Sequence, residues 1–192
     1  LMGAALAAMT VWMAVHALIF YLGRSTELYG AKDDVIGRGG DAILAYRPEV
    51  QPRAEGVRRA LERIEAPVPP DGSFVVLPEG VMLNYLTRRA NPTPYTTFMP
   101  TELAVFGETP ILSSLKVAAP DFIVLVHKDT SEFGVGYFGN DPRYGAEIMQ
   151  WIRAMYVPIE VIQHQPLVSP RFGILIAKRR DAITPPGVGT GG

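Results

Sequence analysis

The hydrophobic pattern changes character once, early in the chain. Leu1 to Leu22 contains no charged residue, and at 1.5 Å per residue such a run meets the roughly 20 apolar positions that cross a hydrocarbon core. It reads as a transmembrane helix bounded near Gly23, with Phe20, Tyr21 and Arg24 where an aromatic belt and a snorkelling cation belong. A secretory signal peptide is the competing reading, but the basic n-region is absent and the apolar run exceeds the usual h-region.

Beyond Gly23 the pattern turns short-ranged. Ser25 to Gly40 is mixed and glycine-bearing, as in an irregular connector, and Ala42 to Tyr46 reads as a short strand. Arg53 to Glu65 sets Val57, Ala60, Leu61 and Ile64 on one helical stripe with charges opposite. Phe74-Val75-Val76-Leu77 is a continuous apolar run of the kind buried on both faces of a parallel sheet. A helix over Val81 to Arg89 follows, making a βα unit.

Downstream, Tyr95 to Phe98 is expected as a strand and Pro100 as a helix start, with a break near Gly107 to Pro110 and resumption over Ile111 to Val117. Asp121 to Val126 is the clearest strand. A glycine-rich loop covers Ser131 to Gly139, a helix spans Ala146 to Tyr156, and Ile159 to Ile162 with Phe172 to Ala177 form an antiparallel edge pair.

The expected fold class is therefore α/β: a three-layer Rossmann-like domain with a mainly parallel sheet, preceded by one transmembrane helix. The chain divides into a membrane helix (1–23), a connector (24–50), an extramembrane α/β domain (51–180) and a disordered tail (181–192).

Composition narrows the chemistry. A net charge of −1 with interspersed signs gives no basic face for nucleic acid. Zero cysteines exclude disulfides, thiolate zinc sites and cysteine nucleophiles, and leave the compartment open. Membrane orientation is equally open, because Arg24, Lys32 and Arg38 share their stretch with Glu27, Asp33, Asp34 and Asp41.

Four groups of residues invite a chemical reading. Gly134-Val135-Gly136-Tyr137-Phe138-Gly139 spells a dinucleotide fingerprint, but Asn140-Asp141-Pro142 follows where a helix should open, so a surface loop is expected. His16 lies inside the membrane span, as an axial ligand to a haem or chlorophyll-type macrocycle or, more simply, a neutral helix contact between Trp12 and Phe20. His127 and His164 are isolated and compose no metal site, and no cofactor is expected. Glu79, Asn84, Arg88 and Tyr95, with Arg89 nearby, follow a buried strand at the carboxyl edge of the sheet, where a sugar or phosphate would bind; the bland alternative is a helix cap with surface arginines. Glu79 with Glu102 or Asp121 would be the acid–base pair, at a separation that spacing alone does not give. No complete catalytic constellation emerges.

The string Leu77-Pro78-Glu79-Gly80-Val81-Met82-Leu83-Asn84-Tyr85-Leu86, continuing through Arg88, Arg89, Asn91, Pro92, Thr93 and Tyr95, resembles the C-terminal extramembrane α/β domain of bacterial GT-C class membrane glycosyltransferases, of the protein mannosyltransferase and aminoarabinose transferase type. So do Tyr137-Phe138-Gly139, Tyr144-Gly145, Trp151-Ile152-Arg153 and Tyr156. The resemblance implies a polyprenyl-phosphate sugar donor, chemistry at the outer membrane face, and a catalytic acid in an early loop that this chain does not contain. It implies a non-catalytic, periplasmic domain: either the terminal domain of such an enzyme, in which Glu79, Asn84, Arg88 and Tyr95 touch donor or acceptor, or a free-standing relative without the catalytic membrane portion, in which they only stabilise the fold; the start at Leu1-Met2 fits the end of a longer membrane protein. A different class remains beside it: a single-span accessory subunit of a photosynthetic or respiratory membrane complex. Gly3, Ala4, Ala7 and Ala8 would let other transmembrane helices approach closely under either reading.

Overall fold

A computed structural model describes residues 2–181. All of the expected tail except Asp181 lies outside the described residues. The apolar run forms one helix, α1 (Met2–Gly30), with no buried residue. Its most apolar window has a mean hydropathy of 1.9, so it is long and apolar enough to cross a membrane. The helix runs past the boundary expected at Gly23, and Arg24 pairs with Glu27 at 2.9 Å on this extra length.

The expected irregular connector is thus partly helix and partly sheet. Strands β1 (Asp34–Ile36) and β2 (Ile43–Ala45) pair antiparallel, with Val35 opposite Leu44. They form a separate two-stranded sheet docked on α2 (Arg53–Glu65) through Ile36 and a 2.6 Å bidentate contact between Arg58 and Asp34. Lys32 lies over the rings of Tyr29 and Tyr46, tying the end of α1 to the end of β2.

The main sheet has the order β3-β4-β6-β5, from β3 (Phe74–Leu77), β4 (Phe122–Val126), β5 (Tyr156–Gln163) and β6 (Gly173–Arg179). Only β3 and β4 pair in parallel; β6 is antiparallel to both β4 and β5. The mainly parallel, Rossmann-like sheet is therefore not formed, and the arrangement is a mixed α/β fold. The physical reason is local: β3, β4 and β5 run the same way, but the last strand returns and inserts between β4 and β5, converting both ladders. The antiparallel edge pair is present as expected, over longer bounds.

Helices α3 (Met82–Thr87), α4 (Pro100–Phe106), α5 (Glu108–Ala118) and α6 (Ala146–Met155) complete the fold. The break between α4 and α5 falls at Gly107, whose φ of 82° suits glycine. Tyr95 to Phe98 is not a strand: β3 has no partner there, and the segment is irregular, bent at Thr96, with the Phe98 N–H donating to the Pro78 carbonyl at 2.7 Å. Alternation along the strands sorts the core into two layers. Val75, Leu77, Ile123 and Leu125 pack with α4, α5 and α6, while Phe74, Val76, Phe122 and Val124 pack with α2 and α3.

Ile123 is 0% exposed at the centre of this arrangement, whereas Val117 is 85% exposed. Ile123→Ala is expected to cost about 2–5 kcal/mol in urea unfolding and Val117→Ala no more than about 0.5 kcal/mol; equal losses would contradict the layering.

Candidate functional site

The four residues expected to share a site separate into three places. Asn84 is buried; its Nδ2 donates to the carbonyls of Phe74 at 2.9 Å and Arg89 at 3.3 Å, fastening α3 to the amino end of β3. Its Oδ1 is the buried side-chain polar atom without a partner among the described residues. Arg88 caps α3 in the left-handed region, stacks on Tyr85 and pairs with Asp41, so it faces the β1–β2 hairpin. The Tyr85 hydroxyl and the Arg88 guanidinium hold the Asp41 carboxyl below its usual range. Arg89 donates to the Val68 carbonyl.

Glu79 and Tyr95 do lie toward the carboxyl end of β3. Glu79 pairs with Lys128 at 2.9 Å, both partly exposed, and Tyr95 packs edge-on against Phe106 with centroids 5.4 Å apart. Tyr95 and Glu102 line a shallow recess with Thr97 and Phe106. Asp121 is engaged elsewhere, accepting from the Ser73 hydroxyl and amide at the start of the sheet.

The glycine loop carries a short 3-10 turn, Ser131–Phe133, and no helix opens until Ala146. The Gly136 N–H donates to Asp141, which Arg143 and that amide hold well below the usual carboxylate range. The loop's donor is thus already satisfied by a carboxylate of its own. In α1, the His16 Nδ1 meets the Trp12 carbonyl at 3.0 Å and its ring lies 4.2 Å from the Trp12 indole. A carbonyl only accepts, so Nδ1 is the donor in this contact, and Nε2 makes no hydrogen bond among the described residues. Among the described residues no three His, Asp or Glu converge as a metal site.

The best-walled cavity is elsewhere, and the sequence reading did not find it. About 280 Å³ opens between α6, the face of β5 and β6, and the loop that joins them. Its floor is Leu125, Phe138, Ile152, Tyr156 and Leu175, all nearly inaccessible; its rim carries Asn140, Arg153, Gln165 and Arg180. The wall is held in an unusual conformation. Leu167 is 2% exposed with φ of 63°, a left-handed geometry that costs a non-glycine residue about 1–3 kcal/mol.

Both of its backbone groups are clamped. The Leu167 N–H donates to the His127 Nδ1 at 3.4 Å, and the Asn140 Nδ2 donates to the Leu167 carbonyl. Arg153 in turn donates to the Asn140 Oδ1 at 3.3 Å. At the far end of the same loop, a Cβ on Gly173 would sit 1.7 Å from the His164 carbonyl oxygen, so only glycine fits there. The one sequence signal for this construction was the polar and proline-bearing stretch between β5 and β6, which carries no periodicity.

No protein-family model, no curated protein and no solved structure matches the chain. The geometry of the molecule therefore stands by itself.

His127 gives this wall a pH signature. Burial first, and then the charge of Arg53, push its imidazole below the ordinary 6.5, with Asp129 opposing. The unfolded chain then binds the proton more readily than the folded one, so stability is full above 6.5 and falls as pH drops through the folded value. Between about pH 7.5 and about pH 5.5, wild type is expected to lose more of its urea midpoint than His127→Gln; parallel losses would show that the imidazole is not held neutral in the wall.

Proposed function

We propose that the chain is a membrane-anchored, non-catalytic, extracytoplasmic domain of a glycosyltransferase that uses a polyprenyl-phosphate sugar. The observation that carries the reading is α1: a 29-residue helix, free of charge over Met2 to Gly23, with no residue buried against its own domain and tied to that domain through the Lys32 clamp. Such a helix needs a bilayer or other helices around it. The resemblance of Leu77–Tyr95 and Tyr137–Tyr156 to the terminal domain of GT-C enzymes supplies the class. Those stretches build the β3–α3 unit and the α6 face, and Asn84, Phe138 and Tyr144 within them are buried structural groups. This suits a supporting domain whose catalytic acid resides elsewhere. Glu79 and Tyr95, at the carboxyl end of β3, are the groups that would meet donor or acceptor.

A second reading rests on His16, whose Nδ1 meets the Trp12 carbonyl while Nε2 makes no hydrogen bond among the described residues. It makes the chain a single-span subunit of a larger energy-transducing complex with a macrocycle or a neighbouring helix on that nitrogen.

Intact-mass measurement of the protein purified from its native membrane in mild detergent separates the two. The transferase reading predicts a polypeptide with further membrane spans that transfers sugar from a polyprenyl-phosphate donor. A chain of this length held in a stable pigmented or haem-bearing complex would contradict it.

A further inference from the structure

We propose that the cavity beneath α6 is a binding site for a small amphipathic anion, with a compact apolar body inside and its charged head between Arg153 and Arg180. The volume of about 280 Å³ is roughly twice that of an apolar hollow that admits benzene, and it approaches the low end of natural ligand pockets. It accommodates a fused ring pair or a short branched chain and is too small for a long isoprenoid or acyl chain.

The polarity is divided. Leu125, Phe138, Ile152 and Leu175 bring no hydrogen-bonding side chain to the interior, and the Tyr156 hydroxyl of the same floor donates to the Pro120 carbonyl, so an apolar body gains by leaving water there. The rim is cationic. Neither Arg153 nor Arg180 has a carboxylate partner among the described residues. Arg180 spends its Nε and Nη2 on the carbonyls of Ala154 and Arg153, and Arg153 spends Nη2 on Asn140. The Nε and Nη1 of Arg153 and the Nη1 of Arg180 make no hydrogen bond among the described residues, and a guanidinium fork suits a carboxylate or phosphate.

The wall is braced as a binding wall would be. Leu167 stays left-handed because His127 and Asn140 hold its two backbone groups, and Asn140 is itself held by Arg153. The residue that keeps the cavity from collapsing is thus wired to the residue that would receive the anion. Strain maintained by surrounding contacts is found where a site must be preformed.

The test is calorimetric titration of the full chain in phosphatidylcholine nanodiscs with 2-naphthyl phosphate, against 2-naphthol and inorganic phosphate, with empty discs subtracted. Saturable one-to-one binding of the naphthyl phosphate is expected, at least tenfold tighter than of inorganic phosphate. In the combined Arg153→Gln, Arg180→Gln variant, the affinity advantage of the naphthyl phosphate over naphthol should fall about tenfold, whatever loss of the Arg153–Asn140 brace costs both ligands. Ala177→Leu, which fills the floor, should remove both. Should Ala177→Leu fail to fold, the arginine pair, which is exposed, still decides. Absent saturation, indifference to the two arginines, or loss of binding when the discs carry anionic lipid would each overturn the proposal; the last would assign the cations to bilayer headgroups.

Discussion

A strand buried on both faces must have both edges paired, and β4 imposes this requirement on everything around it. Phe122, Ile123, Val124 and Leu125 are all but inaccessible, so none of their backbone groups has water to turn to. β3 satisfies one edge in parallel and β6 the other in antiparallel register. The alternation of β4 then sends Ile123 and Leu125 toward α4, α5 and α6, and Phe122 and Val124 toward α2 and α3. Both helical layers, the placement of β5 beyond β6, and the cavity that β5 and β6 floor all follow from that one strand.

Local pattern was legible where one element carried its own signal. Arg53–Glu65 has the helical bounds its stripe predicts, because the apolar positions and the charges sort cleanly around one axis. The α4–α5 break was legible from Gly107 and Pro110. What the sequence did not reveal was pairing. The strand-helix alternation fits β3, β4 and β5 running in one direction, yet the final strand chose the gap between two of them, a choice made by long-range packing of Ile174 and Ile176 against α2 rather than by any local motif. Tyr95–Phe98 failed as a strand for the same reason: Phe98 is buried beside Tyr144 and Tyr95 is half-buried against Phe106 of α4, with no ladder to join.

The site was less legible than the fold. Glu79, Asn84, Arg88 and Tyr95 are close in sequence, but only Asn84 lies on α3, with Arg88 at its cap, Glu79 before it and Tyr95 beyond it; the Asn84 amide N–H groups go to backbone carbonyls and Arg88 goes to Asp41. The cavity draws on Leu125, Asn140, Arg153, Leu167 and Arg180, which are separated by long stretches of chain. No spacing rule connects them. Leu167 in particular is an ordinary leucine by sequence, and its left-handed backbone exists only because His127 and Asn140 arrive from elsewhere.

The account as a whole rests on α1 residing in a bilayer while the domain stands in water. Because the chain contains no cysteine, single substitutions report position without background. The decisive measurement is labelling by a membrane-impermeant maleimide in open membrane sheets, comparing Ala17→Cys with Asp71→Cys. The account predicts that the thiol at position 17 reacts only after detergent is added, while the thiol at position 71 reacts at once. Prompt labelling at position 17, or recovery of a processed chain from which α1 has been removed, would contradict it.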